Sequence, residues 1–308
     1  MRLLIPSAVL LLAASLTGQA PVQRPKILGI AHLAVFVSDL TAARGFYRDF
    51  LGFEETVTVK KADREDVVVM TINGRQTIEL INRPNKGEGQ LDHVALQTDD
   101  VARMREYLAS KGVRAASDIE GGPSGEKRFF VTDPDGHTVE IVELPRDATA
   151  VMRRGGDRPS PISDRALHVG ILVGELARSV PFYAGVLGFE ETWRGSAAKS
   201  PTLSWVNMRV PEGTDYLEFM LYGEKPAPDR RGTAHHLCLM VPDAAKAVAA
   251  LDASPARQAY ARSIEIRTGI NRKRQVNLFD PDGTRVELME PETIDGVPAP
   301  PSPLPPPR

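Results

Sequence analysis

Four of the six histidines head apolar runs: His32-Leu-Ala-Val-Phe-Val, His93-Val-Ala-Leu-Gln-Thr, His168-Val-Gly-Ile-Leu-Val and His236-Leu-Cys-Leu-Met-Val. Each is followed by a glutamate inside a second apolar run: Glu79, Glu140, Glu218 and Glu287, at separations of 47, 47, 50 and 51 residues. A carboxylate in a strand is costly to bury without a partner. A single histidine on an apolar strand is ordinarily a packed side chain. Four matched pairs at near-constant spacing point instead to an inherited set of nitrogen and oxygen metal ligands.

The elements that must position these residues recur as well. Each histidine strand is followed by an acidic residue and a helical pattern. Asp39 is a candidate cap for a helix that buries Phe46, Tyr47, Phe50 and Leu51 and stops at Gly52. Asp99 or Asp100, Glu175 and Asp243 open the other three. Three short strands follow each helix, and the last carries the glutamate. Leu51-Gly52-Phe53-Glu54-Glu55-Thr56 returns unchanged from Leu187 to Thr192, each time after a Phe-Tyr pair. Asp133-Pro134-Asp135-Gly136 returns as Asp280-Pro281-Asp282-Gly283, a type I turn feeding the glutamate strand. The chain therefore reads as two homologous halves, 27–145 and 165–291, each made of two strand–helix–three-strand units. A Pro-, Gly-, Arg- and Asp-rich linker, 146–164, joins them.

This pattern resembles the vicinal oxygen chelate superfamily, which includes glyoxalase I, methylmalonyl-CoA epimerase, fosfomycin and bleomycin resistance proteins and extradiol dioxygenases. The resemblance covers nearly the whole chain up to about residue 291. It implies an α+β fold of four βαβββ units paired into two curled mixed-sheet cups. It also implies metal ligands at His32, Glu79, His93 and Glu140 in one half and at His168, Glu218, His236 and Glu287 in the other. Pairing across halves, with His32 and Glu79 meeting His236 and Glu287, occurs in that family too, and the sequence leaves the choice open.

Two imidazoles and two carboxylates suit zinc, nickel, cobalt, manganese or iron. Such a site polarises an oxygen of the substrate, and a displaced Glu79, Glu140, Glu218 or Glu287 then removes a proton. The implied activity is that of a lyase, isomerase or epimerase on a small oxygenated molecule. A non-catalytic binding or resistance protein is the alternative. An extradiol dioxygenase fits less well, because Phe130 and Asn277 stand where a tyrosine is expected. Strand alternation puts small residues, Ala34, Ala95, Gly170 and Cys238, two positions beyond the histidines. Cys238 is read as a small packing residue, with a reactive thiol or soft ligand as the sharper alternative. Tyr216, Met220, Arg285 and Met289 flank the second-half glutamates and tilt substrate binding toward that half. Arg128 and Arg274, ahead of the two turns, are candidates for holding an anionic group, against a plain reading as solvated charge. His137 is expected to be exposed, His235 to point away from His236, and Glu143 and Glu290 to be ordinary strand-end charges.

Composition narrows the class. The chain has 308 residues, 42% hydrophobic and 25% charged, with a net charge of −2. That balance offers no electrostatic case for nucleic acid or an anionic membrane. One cysteine excludes an internal disulfide. Residues 1–20 resemble a cleavable secretory signal: Arg2, an apolar run from Leu3 to Leu16 and small residues before a cut at Ala20. The expectation is a periplasmic or secreted monomer or homodimer without a stable membrane span. The proline-rich segment 292–308 is expected to be an extended, mobile tail.

Overall fold

The computed structural model describes residues 22–62, 64–83, 89–146 and 160–307. The expected signal segment and most of the linker lie outside them. The first half contains β1 (Ile27–Val37), β2 (Glu54–Lys61), β3 (Arg64–Thr71), β4 (Thr77–Asn82), β5 (Leu91–Thr98), β6 (Glu120–Gly121), β7 (Lys127–Thr132) and β8 (Thr138–Glu143). The second contains β9 (Ala166–Val173), β10 (Glu190–Gly195), β11 (Trp205–Arg209), β12 (Tyr216–Leu221), β13 (His236–Met240), β14 (Ile266–Thr268), β15 (Lys273–Phe279) and β16 (Arg285–Thr293). Each half forms one eight-stranded mixed sheet, in the orders β2-β3-β4-β1-β5-β8-β7-β6 and β10-β11-β12-β9-β13-β16-β15-β14. Within a unit the first strand pairs in parallel with the last. The two units of a half join through their histidine strands, which run antiparallel. The units thus pair within halves, which settles the alternative left open by the sequence.

One face of each sheet carries the alternate apolar residues. Leu33, Val35, Ile78, Leu80, Val94 and Leu96 are essentially inaccessible to water and pack under the helices. The helices are α1 (Leu40–Arg44), α2 (Val101–Ser110), α3 (Leu176–Val180), α4 (Pro228–Arg231) and α5 (Ala244–Asp252). Asp39 caps α1, its Oδ1 accepting from Thr41 N at 2.7 Å and Ala42 N at 3.2 Å. The helix then widens into a π turn over Gly45–Phe50, with Leu51 N donating to Phe46 O five residues back. This wider turn brings Phe46, Tyr47, Phe50 and Leu51 onto one buried side. Gly52 ends it at φ +81°, where a Cβ would also crowd the 160–161 backbone.

The two repeated sequence motifs meet each other across the halves. Tyr47 donates to Asp280 Oδ2 at 3.0 Å, and Tyr183 donates to Asp133 Oδ2 at 2.9 Å. Ser38 N donates to Asp282 Oδ2, and Gly174 N to Asp135 Oδ1. Each Asp-Pro-Asp-Gly turn is therefore a socket for the other half's helix start. Glu143 and Glu290 are also more than loose strand-end charges. They accept from Val101 N and Ala244 N, capping α2 and α5 together with Asp100 and Asp243.

The proline-rich tail differs from the expectation of a free chain end. β16 itself runs to Thr293. Beyond it, Ser302 N donates to Arg194 O at 2.9 Å, Leu203 N to Pro305 O at 2.7 Å and Trp193 Nε1 to Ala299 O at 3.2 Å. The segment is extended as proline requires, yet its carbonyls satisfy donors beside edge strand β10.

Candidate metal centres

The opposite face of each sheet forms a checkerboard. In the first half one row reads Thr77, His32, Ala95 and Glu140 across β4, β1, β5 and β8. The next reads Glu79, Ala34, His93 and Thr138. Small side chains alternate with ligands, so four long side chains lean over two alanines toward one point. In the second half the rows read Tyr216, His168, Cys238, Glu287 and Glu218, Gly170, His236, Arg285. All eight sequence-predicted ligands are assembled, four in each cup.

The donor atoms are close. In the first cup His32 Nε2 and His93 Nε2 are 2.9 Å apart. Glu140 Oε2 lies 3.0 Å from His93 Nε2 and 3.5 Å from His32 Nε2, and Glu79 Oε1 lies 3.8 Å from His32 Nε2. In the second cup the two Nε2 atoms are again 2.9 Å apart, with Glu218 and Glu287 oxygens at 3.4 to 3.8 Å. Metal bonds of about 2.1 Å place neighbouring donors about 3.0–3.5 Å apart. By donor spacing alone the residues of both cups fit a divalent ion of the zinc, nickel, cobalt, manganese or iron type. His32, Glu79 and His93, and His168, His236 and Glu287, each bring one donor atom within 4.8 Å of the others.

The electrostatics of the two cups differ. In the first, burial opposes charge on His93, but hydrogen bonds with Asp92 and Glu140 outweigh it and push its pKa up to about 9. Burial would raise the Glu140 carboxyl, yet the two histidines hold it well below the usual carboxylate range. Arg128 Nη1 lies 3.3 Å from Glu140 Oε2, so the arginine is drawn into the site. In the second cup burial holds His168 and His236 well below the ordinary histidine value, with Arg285 adding to the effect on both. Burial and the charge of Glu287 push Glu218 up to about 8.

A cavity of ≈ 380 Å³ adjoins the first tetrad. His32 and Glu79 form its floor, Val57, Thr71 and Thr77 one wall, and Arg75 stands at its exposed edge. The expected tilt toward the second half does not match this. Tyr216 there lies against the His168 ring at a centroid distance of 4.6 Å, in the register that Thr77 holds in the first cup. Met220 and Met289 share the second cup's inner face, and Asn271 Nδ2 donates to Met289 Sδ. Cys238 is fully buried between His168 and Glu287, and burial pushes its thiol well up, which suits packing rather than nucleophilic reactivity. Arg274 is not at the site: it is half-exposed and reaches toward Glu290, the cap of α5 on the other face of the sheet.

Two further residues were misread or missed. His137 is largely covered, its Nδ1 2.9 Å from Asp133 Oδ2, and its ring meets that of His235. Glu126, unremarked in the sequence, is buried beside the first tetrad, lines the cavity, and has Oε1 without a hydrogen-bond partner. Burial raises its pKa, and the charges of Glu79 and Glu140 add to the rise. Its signal was its place two residues ahead of Arg128 on the inward strand register.

Comparison with known proteins places this geometry in context. The family model for the Glyoxalase/Bleomycin resistance protein/Dioxygenase superfamily matches residues 29–141 and 165–288. The protein YaeR of Escherichia coli is 32% identical over 123 residues, covering 37% of this chain and 95% of that protein. A lactoylglutathione lyase of Arabidopsis thaliana is 32% identical over 99 residues, 31% of this chain and 29% of that protein. The mitochondrial methylmalonyl-CoA epimerase of Mus musculus is 30% identical over 132 residues, 39% of this chain and 73% of the enzyme. Among solved structures, the 2,3-dioxygenase LapB from Pseudomonas sp. KL28 superposes with a TM-score of 0.64 at 17% identity, covering 87% of this chain and 93% of that one. The Mn(II)-bound glyoxalase from Novosphingobium aromaticivorans gives 0.61 at 16% identity, covering 86% and 83%. At these identities the structures share the fold alone.

Proposed function

The chain belongs to the Glyoxalase/Bleomycin resistance protein/Dioxygenase superfamily, and from that premise we propose a divalent-metal-dependent enzyme of the lyase, isomerase or epimerase kind. It acts by proton transfer on a small oxygenated substrate. The observation that carries this reading is a complete His/Glu/His/Glu set opening onto a cavity of ≈ 380 Å³ in the first cup, a volume suited to a small molecule. A divalent ion held by His32, His93, Glu79 and Glu140 would supply Lewis-acid polarisation of a substrate oxygen.

The protein's own groups divide the remaining work. Glu79 reaches the cavity and is the longest-spaced of the donors, 3.8 Å from His32, so it is the carboxylate best placed to move a substrate proton. Glu140 is fixed by His93 and Arg128 and stays ionised. Asp92 holds the far nitrogen of His93 at 2.6 Å and so orients that ring. Val57 and Leu144 give the cavity apolar walls, and Arg75 gives its edge a positive charge. The names of the relatives, a lactoylglutathione lyase and a methylmalonyl-CoA epimerase, support proton-transfer chemistry.

The test has two steps. Metal content of the purified chain is measured first; absence of a stoichiometric divalent ion, with no rescue on adding one, sinks the reading. Small carbonyl and acyl compounds are then screened in heavy water for C–H exchange by NMR, with Glu79→Gln as the silent control. A second reading, ligand binding without turnover, draws on Glu140 being tied to Arg128 and His93. It requires saturable binding with no exchange in any compound that binds. We also propose export from the cytoplasm on the strength of residues 1–20, which would make a glutathione adduct a poor candidate substrate. Cell fractionation with N-terminal sequencing tests this, and a cytoplasmic chain beginning at Met1 counts against it.

A further inference from the structure

The checkerboard makes the two cups directly comparable, and on it and the strand beside it they differ most at four positions. Thr77 of the first corresponds to Tyr216 of the second, and Thr138 corresponds to Arg285. Counting back from the two Asp-Pro-Asp-Gly turns, Glu126 corresponds to Lys273 and Arg128 to Gln275. We propose that the halves have diverged into one metal-loading cup and one that supplies its own cation, so that each chain takes a single divalent ion, in the first cup. The inference rests on the proposed function only in taking the His/Glu tetrads to be metal ligands.

Arg285 stands beside His236 in register on the neighbouring parallel strand, and both face inward. Its Nη2 lies 2.8 Å from Nδ1 and 3.0 Å from Nε2 of that ring. Nδ1 is committed to the Ala234 carbonyl at 2.7 Å. A single donor within 3.0 Å of both ring nitrogens lies over the ring and not in line with either lone pair, so the guanidinium acts on His236 as a positive charge beside Nε2, the atom that faces His168 and that a metal would need. A dication approaching that nitrogen meets a like charge already in place.

The backbone permits the arrangement at one position. A Cβ on Gly170 would lie 2.0 Å from His236 Nδ1, so the ring occupies space that Ala34 fills beside His93. His93 turns its Nδ1 to Asp92, while His236 turns its own to the Ala234 carbonyl. Tyr216 lies tilted against the His168 ring, in the register where the first cup has Thr77 lining its cavity.

The surrounding charge agrees. Near the first tetrad a third carboxyl, Glu126, joins Glu79 and Glu140 against the single guanidinium of Arg128. Near the second, Glu218 and Glu287 face two cations: Arg285, and Lys273, whose ammonium is partly buried and acts on both His168 and Cys238. Once a metal has displaced the His93 proton, the first cup holds three carboxyls against one guanidinium, a set that a divalent ion suits. The second already holds two cations of the chain's own beside its carboxyls.

Equilibrium dialysis of the full chain against Mn²⁺ or Zn²⁺ tests this, with bound metal counted by mass spectrometry. The expected result is one equivalent for the parent chain, none for His32→Ala/His93→Ala, and one for His168→Ala/His236→Ala. Arg285→Thr/Lys273→Glu is expected to gain a second equivalent. If the first pair of alanines prevents folding, Thr138→Arg serves instead and is expected to weaken binding at least about tenfold. Two equivalents on the parent chain, retention of metal by the folded His32/His93 variant, unchanged affinity in Thr138→Arg, or no gain in Arg285→Thr/Lys273→Glu would overturn the asymmetry and leave the proposed function standing. No metal on the parent chain overturns both.

Discussion

At the scale of single residues, the first cup is a set of acids and bases whose values are set by one another. Without metal, His93 titrates at about 9, above its ordinary 6.5. A histidine with a raised folded-state pKa contributes stability that is full below pH 6.5 and lost as the pH rises through 9. The metal-free protein should therefore lose part of its stability between those values, and urea unfolding across the range should show the loss vanish in His93→Gln. Metal uptake must displace the same proton. Calorimetric titration below pH 9 in buffers of different ionisation heat should register about one proton released per metal. For Glu79→Gln, turnover should fall about 10²–10⁴-fold while metal content stays above half of the parent value, because three ligands remain. Loss of metal in proportion to activity would make Glu79 a ligand only.

At the scale of elements, strand pairing explains why the ligand spacing is so regular. Two antiparallel histidine strands, each flanked by its own parallel glutamate strand, bring four ligands together only if a small residue sits diagonally from each. Ala95→Leu would fill the space between His32 and Glu140, and should abolish first-cup metal binding in dialysis while far-ultraviolet circular dichroism is unchanged. The Asp-Pro-Asp-Gly turns serve a second purpose, as acceptors for the tyrosines of the opposite half. The two sockets are not equal. Burial would raise the Asp133 carboxyl, but His137 outweighs it and lowers its pKa. Burial pushes Asp280, which has Thr284 in that place, up to about 6. Tyr183→Phe removes a hydrogen bond to the more firmly ionised partner and should cost about 1.5–3 kcal/mol. Tyr47→Phe should cost less, about 0.5–1.5 kcal/mol at pH 5. Paired chemical denaturation curves would show the order, and equal losses would count against the distinction.

At the scale of the whole molecule, the halves interlock through reciprocal contacts rather than through a shared cup. The Gln76 side chain brackets Ala166, accepting from its N–H at 2.9 Å and donating to its carbonyl at 3.0 Å. Phe50 stacks on Tyr260 at 4.8 Å, so the first half's helix is covered by the second half's last unit. The tail closes the edge of the second sheet. Deleting residues 298–308 should lower stability by about 1–2 kcal/mol, since the lost hydrogen bonds are partly offset by chain entropy. It should also shift Trp193 fluorescence to the red; an unchanged spectrum and melting temperature would mean the tail does not dock. Among the described residues no helix is long and apolar enough to cross a membrane.

The sequence by itself determined the unit, its fourfold repetition and the eight candidate ligand positions, because strand periodicity, turn chemistry and the His-to-Glu spacing are local properties of the chain. It carried the turn motifs and the Phe-Tyr pairs as separate repeats, and gave no sign that they bind one another, since their partners lie 233 and 50 residues away. Which units pair was decided by β1 meeting β5 and β9 meeting β13, a long-range pairing that equal spacings cannot specify. The sequence also tilted substrate binding toward the second half, with Tyr216 and Arg285 looking like substrate contacts. Only the tertiary structure turned both inward onto His168 and His236, because the use of a side chain depends on the strand beside it, and that neighbour is chosen by the fold.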